Sequence, residues 1–324
     1  MFFMLLLYYL PFFLYNIISK IESNAALRFC SFVLNTFQTT GRGNLPRSAN
    51  MAAANQHHKH AELEGKMIDF ISGRWNLTTR TDAVASYLKR GASVLASDAE
   101  QRTCLHWCAL QGYAESVNVV LACVKHASLP HVDKLQELLD KKDSDGYTAM
   151  AYAAANNSHT VIRTLLQHGA DARLTDDGGF TPLMLSIINQ GDSSTVTMLA
   201  SNSDVDAKNK DGQTALMLAC QSGRTPASKI LVKHGADVNV ADKFQKTALI
   251  YAAEFGKFSL IKVLLETQDI DVGYSSHDGT ALEVARKMKL SERIIEAIRN
   301  CKVQRLSKGG ESHVQAMRGA RKRW

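Results

Sequence analysis

The sequence predicts an all-α solenoid, in which short helix-turn-helix units with hairpin-like turns stack in a row. The first observation is a threonine followed two residues later by leucine or methionine, which recurs at Thr103, Thr148, Thr181, Thr214, Thr247 and Thr280. The intervals between these threonines are 45, 33, 33, 33 and 33 residues. The second observation is that turn residues, small pairs and apolar pairs recur in phase with them. A fixed period of this length is typical of stacked units, and we predict about 6–7 of them.

Each unit is predicted to begin with a tight turn. Asp143, Asp176 and Asp242 lie five residues before their threonines, and Gly146 and Gly212 lie two residues before theirs. An aspartate in a turn accepts hydrogen bonds from its own backbone, and glycine tolerates a positive φ. The pattern therefore places a turn ahead of every first helix.

Two helices follow each turn. The threonine is expected to cap the first helix, in which Pro182 occupies a first-turn position that needs no N–H donor. Small pairs such as Ala153-Ala154 let a neighbouring helix approach closely, and larger pairs such as Leu165-Leu166 fill the second helix. Gly169 suits the left-handed residue that ends that second helix.

Some units depart from the pattern. The 45-residue interval implies 12 extra residues, which we place in an insertion near residues 127–142 that holds a small helix over 131–140. Gln245 stands where other units have the turn glycine, and Asn202 stands where they have the closing glycine. In the unit of Asn202, which begins at Thr181, we expect Gly191 to be the glycine that ends the first helix.

The units resemble the ankyrin repeat, which is a turn and two antiparallel helices in 33 residues. The resemblance covers residues 98–300 and rests on the period and on two motifs. The Thr-Pro-Leu-His type is represented by Thr181-Pro182-Leu183 and by His106, and the Gly-Ala-Asp ending by Gly169-Ala170-Asp171 and Gly235-Ala236-Asp237. It implies a non-catalytic scaffold that binds a protein partner on its concave face, without cofactor or metal. We also expect a monomer.

The resemblance places partner-binding residues in the turns and late in the first helices. By register they are Arg102, Tyr147, Phe180, Gln213, Lys243, Phe244 and Lys246 in the turns, and Leu110, Gln111, Asn156, Asn189, Gln221, Glu254 and Phe255 in the helices. Aromatic side chains on a rigid surface are typical binding hot spots, which makes Tyr147 and Phe180 candidate anchors. The alternative is that these rings pack between neighbouring turns.

Residues 1–50 form a separate hydrophobic segment. Residues 1–19 carry no charged side chain and include five Leu, four Phe and two Ile. As a helix they would span about 28 Å, close to the thickness of a bilayer core. Three interpretations stay open: a membrane anchor that leaves the rest in the cytosol, a mis-assigned extension if translation starts at Met51, and a signal cleaved near Ser23-Asn24-Ala25.

The segments that flank the repeats differ from them in charge. The net charge is +7, with +3 in residues 1–50, 0 in 51–100, −2 in 101–300 and +6 in 301–324. We expect 51–97 to be a flexible stretch followed by a degenerate capping repeat, which ends in a helix over 82–89 closed by Gly91-Ala92. Residues 301–324 are predicted to be a disordered basic tail, and residues 302–324 suit weak contact with nucleic acid or acidic lipid. The alternative functions are therefore a membrane-tethered adaptor and a nuclear or RNA-associated regulator.

The sequence gives no reason to predict an enzyme. It contains no GxSxG, HExxH, Walker or dinucleotide-binding motif. The histidine run at residues 57–60 has no partner ligands, and His106 occupies a structural position of the repeat, so we predict no metal site. Six irregularly spaced cysteines indicate a reducing compartment, hence the cytoplasm, a cytosolic membrane surface or the nucleus.

Overall fold

The structure of the chain is a computed structural model. The chain divides into the units Met1–Asn55 and Gln56–Trp324. The described residues lie in the second unit and comprise 61–69, 77–126 and 132–301.

Several sequence-based predictions fall outside these ranges. They concern the candidate anchor at residues 1–19, the histidine run at residues 57–60 and the basic tail at residues 302–324. Among the helices that are described, none is both long and apolar enough to cross a membrane.

The described residues contain fifteen helices, fourteen of which form seven consecutive inner and outer pairs. In chain order the pairs are α1 (61–69) with α2 (Leu77–Lys89), α3 (Cys104–Gln111) with α4 (Ala114–His126), α6 (Ala149–Ala155) with α7 (His159–Gln167), α8 (Pro182–Ile188) with α9 (Ser193–Ala200), α10 (Ala215–Ser222) with α11 (Thr225–Lys233), α12 (Ala248–Glu254) with α13 (Phe258–Leu265), and α14 (Ala281–Lys287) with α15 (292–301). The remaining helix, α5 (Val132–Asp140), lies in the insertion.

The helices stack in two layers. From α3 to α14 each inner helix packs on the next inner helix, and from α2 to α13 each outer helix packs on the next outer one. The strands β1 (Ser275–Ser276) and β2 (Gly279–Thr280) form an antiparallel hairpin before α14, in which Ser275 pairs with Thr280. The all-α solenoid that the period predicted is therefore confirmed.

Five turns share one hydrogen-bond pattern. The Oδ1 atom of the turn's first residue accepts backbone N–H bonds of 2.8–3.0 Å from the residues two and four positions later. These first residues are Asp98, Asp143, Asp176, Asn209 and Asp242. Neighbouring turns are also joined by their backbones, as where the N–H of Asp177 donates to the carbonyl of Asp145 at 3.2 Å and that of Lys210 to Gly178 at 3.0 Å.

The turns keep their shape even where the expected glycine is missing. The residue two positions before the threonine has a φ of 79° at Gly146, Gly179 and Gly212. Gln101 and Gln245 adopt the same left-handed conformation, with φ of 61° and 57°. A glutamine therefore accepts backbone strain at these two positions rather than altering the turn.

Small and large side chains divide the core between the two layers. Ala153, Ala154 and Ala219 of the inner helices are fully buried, as are Leu165 and Leu231 of the outer helices. Small residues allow close helix contact, and each fully buried leucine stabilises the fold by about 1.5–3 kcal/mol. The core is continuous along the array because each unit leaves apolar surface for the next to cover.

The inner helices begin and end as the repeat pattern requires, with one correction. The Thr148 hydroxyl accepts the N–H of Ala151 at 3.2 Å. Nine residues after the threonine the backbone is left-handed in every one of these units. In the unit that begins at Thr181 that residue is Gln190, with φ of 62°, rather than the predicted Gly191. Gly191 is needed for space instead, since a β-carbon there would lie 2.1 Å from Ser186 Oγ.

The insertion and the first unit add helices at one end of the array. The insertion holds α5 close to its predicted place, with Leu138 and Leu139 buried against the core. The sequence pattern did not predict α1, where the stretch was expected to be flexible. Met67 of α1 is fully buried, and Glu64 of the same helix accepts the N–H of Ser93 at 3.1 Å.

Candidate partner-binding face

The structure brings the predicted partner-binding residues to the turns and inner helices, which stack into one surface. We call this surface the binding face. Its exposed members are Gln111, Asn156, Asn189, Lys243, Phe244 and Phe255. Its half-buried members are Leu110, Tyr147, Phe180, Gln213, Gln221, Lys246 and Glu254. Arg102 is buried, and the exposed amides of Asn156 and Asn189 donate to the carbonyls of Leu110 and Leu185. The face is therefore a mixture of available side chains and side chains already engaged within the protein.

Arg102 holds the first turn together. Its Nε donates to Asp98 at 2.9 Å, its Nη2 donates to Glu100 at 2.7 Å, and its guanidinium lies 4.3 Å from the centre of the Trp107 ring. Only 7% of the residue is exposed. A partner would meet the edge of this cluster rather than a free arginine.

Tyr147 links two neighbouring turns. Its ring lies 5.3 Å from the ring of Tyr152, and its hydroxyl donates to the carboxylate of Asp176 in the next turn. Burial raises the pKa of Tyr147, and the negative charge of Asp176 raises it further. Phe180 lies against its own turn, since a β-carbon on Gly178 would be 2.8 Å from its ring. Tyr147 therefore packs between two turns and Phe180 packs against its own turn, and both residues stay partly accessible.

Three turn carboxylates also accept a bond from an aromatic side chain of the inner helix. Trp107 Nε1 donates to Asp98 at 2.9 Å, and the hydroxyls of Tyr152 and Tyr251 donate to Asp143 and Asp242 at 2.6 Å each. These pairs were not predicted from the sequence. The signal was present, because each of these units has an aspartate five residues before its threonine and a Trp or Tyr four residues after it.

The units that begin at Thr181 and Thr214 lack this pairing, and the first residues of their turns have other side-chain partners. Their inner helices carry Leu185 and Leu218 at that position. Asp176 is reached instead by Tyr147 of the preceding turn. Asn209 is uncharged, and its amide donates to Gln213 at 3.3 Å. Burial raises the pKa of Asp176, which the backbone N–H groups of Phe180 and Gly178 only partly offset.

Lys246 is the centre of a charged cluster near the end of the face. Its Nζ lies 2.9 Å from Glu254 and 3.0 Å from Asp278, and 5.8 Å from the centre of the Tyr251 ring. Burial acts to lower the pKa of Lys246, but the hydrogen bonds to the two carboxylates outweigh it and the pKa is raised. Two of the predicted partner-binding residues, Lys246 and Glu254, are thus paired with each other.

His106 serves the array rather than a ligand. The backbone N–H of Thr103 donates to Nδ1 at 3.0 Å, and Nε2 donates to the carbonyls of Lys141 and Tyr147 at 2.9 and 3.1 Å. Burial lowers its pKa, and the charge of Asp143 only partly offsets this. Since both ring nitrogens are engaged, neither is left to bind a metal. No group of three or more potential metal ligands occurs within the described ranges.

Three large apolar side chains are exposed in the described part of the chain. They are Phe244, which is 57% exposed, Phe255 at 40% and Met288 at 49%. Met288 was not among the predicted residues. Its register identifies it, because it follows Phe255 by 33 residues and, like Phe255, caps the end of its inner helix.

Comparisons with known proteins agree with this geometry. The family model described as ankyrin repeats matches residues 120–209 and 183–275. Among solved structures, the chain is similar to the crystal structure of the ankyrin repeat domain of Bcl-3, described as a unique member of the IkappaB protein family. The two share 26% sequence identity with a TM-score of 0.57, over 72% of this chain and 96% of that chain. No curated protein sequence matches the chain.

Proposed function

Because the chain carries ankyrin repeats, we propose that it is a non-catalytic scaffold that holds a protein partner on the binding face. The observation that carries the proposal is the stacking of turns and inner helices into one rigid surface. Within it, Gln111, Asn156 and Asn189 are exposed at the same register position of successive units. Regularly spaced polar side chains on a rigid support bind with little loss of conformational entropy.

The binding face offers anchors as well as polar contacts. Tyr147 and Phe180 lie on adjacent turns, are held in place by packing, and keep part of their ring surface accessible. Rings that are already ordered before binding are typical hot spots. The acidic side chains of Glu100, Asp145 and Asp177 are exposed at consecutive turn tips beside them. We propose that this half of the face binds a segment with apolar and basic side chains.

The test is affinity capture with the tagged full-length chain, followed by mass spectrometry. The informative variant is Asn156→Arg with Asn189→Arg, because both side chains are exposed and two arginines obstruct the surface without emptying the core. We expect recovery of the specific partner to fall at least about tenfold. Tyr147 and Phe180 are less suitable, since replacing them also disturbs the turns.

The matched control places the same arginines on the opposite layer. Thr160 and Gln167 are exposed on α7, so Thr160→Arg with Gln167→Arg should leave recovery unchanged. Equal recovery from both double variants, with melting temperatures equal to that of the unmodified chain, would place the partner elsewhere.

We also propose a cytoplasmic location, with the membrane-anchored and nuclear alternatives as separate tests. The free thiols of Cys104, Cys123, Cys220 and Cys301 support a reducing compartment, and burial raises the pKa of Cys220 to about 12. Mass spectrometry of the native amino terminus tests the anchor at residues 1–19, and a chain that starts at Met51 would remove it. Deletion of residues 302–324 tests the nuclear role, which fails if localisation and RNA recovery do not change.

A further inference from the structure

The connections between inner and outer helices form an edge of the array whose chemistry changes along the chain. We call the eighth to tenth residues after each threonine the helix-turn edge. In the units that begin at Thr103, Thr148 and Thr181 these residues are 111–113, 156–158 and 189–191, and they include no charged side chain. In the next three units they are 222–224, 255–257 and 288–290. Here Arg224, Lys257 and Lys289 add three cations and no carboxylate.

Exposed apolar side chains coincide with these cations. Phe255 is 40% exposed and Met288 is 49% exposed, whereas the same register position holds Gln111, Asn156, Asn189 and Ser222 in the other units. The helices α12 and α14 that carry them stack on each other. Since packed helices lie about 8–10 Å apart, the helix ends that carry the two apolar side chains are about that far apart along the edge.

The cations lie across the edge between units. Arg224 Nη2 donates to the carbonyl of Gly191 in the preceding unit at 2.8 Å. The Lys257 side chain crosses the preceding unit in the same way, because a β-carbon on Gly223 would lie 3.1 Å from its Cε. Lys289 is exposed beside Met288. The aliphatic stems of Arg224 and Lys257 therefore lie along the edge on the amino-terminal side of Phe255, and Lys289 lies next to Met288.

Helix stabilisation accounts for only part of this pattern. A cation near a helix C-terminus interacts favourably with the helix dipole. The inner helices that end at Gln111, Ala155 and Ile188 form without one, however, and the dipole gives no reason to expose Phe255 and Met288. Exposed apolar side chains with polar and charged residues next to them are typical of an interaction site.

We propose that Phe255 and Met288, with Lys289 next to Met288 and with Arg224 and Lys257 further along the same edge, form a docking site for an acidic helical segment of the partner protein. A helix presents apolar side chains about 10 Å apart on one face at positions i and i+7. The proposal rests on the proposed function and specifies the partner's chemistry at this end of the array. An anionic membrane is the other occupant that these cations could attract, and it is one outcome of the test.

The test uses the full-length chain and a displayed library of random 16-residue peptides. We expect the selected peptides to be acidic and to carry apolar residues seven positions apart. Fluorescence anisotropy with the synthetic peptides should show at least about tenfold weaker binding to the Phe255→Ser, Met288→Ser variant. The Thr160→Ser, Gln167→Ser variant changes two exposed side chains of the outer helix α7 and should bind within about twofold of the unmodified chain.

Charge reversal provides the second arm. The Lys257→Glu, Lys289→Glu variant should bind the acidic peptides at least about tenfold more weakly. It should also select basic peptides from the library. Failure of the unmodified chain to select any acidic peptide, or no selection at all, would overturn the proposal. So would binding to phosphatidylserine vesicles that the Phe255→Ser, Met288→Ser variant loses while no peptide is selected, because that result assigns the edge to a membrane.

The failure of this inference is distinguishable from failure of the proposed function. If partner capture is lost in the Asn156→Arg, Asn189→Arg variant but is retained in the Phe255→Ser, Met288→Ser variant, the result supports the binding face and contradicts the edge site. Circular dichroism and melting temperatures confirm that each variant is folded, and all four substituted side chains are exposed.

Discussion

At the scale of single residues, the glycines of the turns and of the helix ends differ in what a side chain would meet. Gly146 has a φ of 79°, and a β-carbon there would lie 2.6 Å from the backbone nitrogen of Asp177 in the next turn. Gly235 has a φ of 86°, and nothing lies within 4 Å of its β-carbon position. One position therefore combines backbone strain with a clash, and the other has strain alone.

We expect Gly235→Ala to lower the free energy of unfolding by about 1 kcal/mol, the cost of a left-handed alanine. Gly146→Ala should lower it by about 1–3 kcal/mol more, because the neighbouring turn must move. Urea unfolding measures both values. Equal losses would mean that the turns are not packed as closely as the structure places them.

His106 makes the stability of the array depend on pH. Burial lowers its native pKa, whereas in the unfolded chain the imidazole titrates near about 6.5. The native state then binds fewer protons than the unfolded chain, so stability falls as the pH drops from about 6.5 through the lower native pKa. We expect His106→Gln to flatten the pH dependence of unfolding between about pH 7 and pH 5. His277→Gln, at an exposed turn, is the control, and an unaltered slope in His106→Gln would contradict the assignment.

At the scale of elements, the turn and the inner helix are fastened to each other by the aromatic–carboxylate bonds. Tyr152→Phe removes the 2.6 Å hydroxyl donor to the buried Asp143 without changing the ring. A hydrogen bond to a charged group contributes about 1.5–3 kcal/mol, and we expect a loss in that range. Tyr274→Phe is the matched control, since it removes a 2.7 Å bond to the exposed Gln245. A loss no larger than the control's would show that Asp143 is satisfied by its backbone partners alone.

These hydrogen bonds also separate what the sequence pattern predicts from what it does not predict. The threonine period predicted the turns, the inner caps and the glycine ends because each depends on residues close in the chain. The bonds of Tyr152 to Asp143 and of Tyr147 to Asp176 depend on how a helix folds back on its turn and on how one turn packs against the next. Helix α1 was missed for a related reason: it carries no threonine motif, and its burial comes from the unit it caps.

The same distinction applies to the candidate site. The register correctly identified the positions that lie in the turns and inner helices. It did not reveal that Arg102 is buried against Trp107, or that Lys246 and Glu254 neutralise each other. Side chains at equivalent positions have different neighbours, and those neighbours decide whether a charge faces solvent or another charge.

At the scale of the whole molecule, we expect the units to differ in stability along the array. Each unit contacts only its neighbours, so a terminal unit has one stabilising interface and a central unit has two. Leu216 on α10 and Ile298 on α15 are both fully buried, and they provide a central and a terminal probe. Truncating either to alanine removes a comparable apolar volume, at a cost of about 2–5 kcal/mol.

We expect Ile298→Ala to accelerate amide hydrogen exchange in α14 and α15 while leaving α8 and α10 unchanged, because the last unit can open alone. Leu216→Ala should accelerate exchange from α8 to α12, since a weakened central unit destabilises both neighbours. Exchange measured by mass spectrometry after peptic digestion resolves these segments. Uniform acceleration along the chain in Ile298→Ala would contradict the expectation, because it would mean that the array unfolds only as a whole.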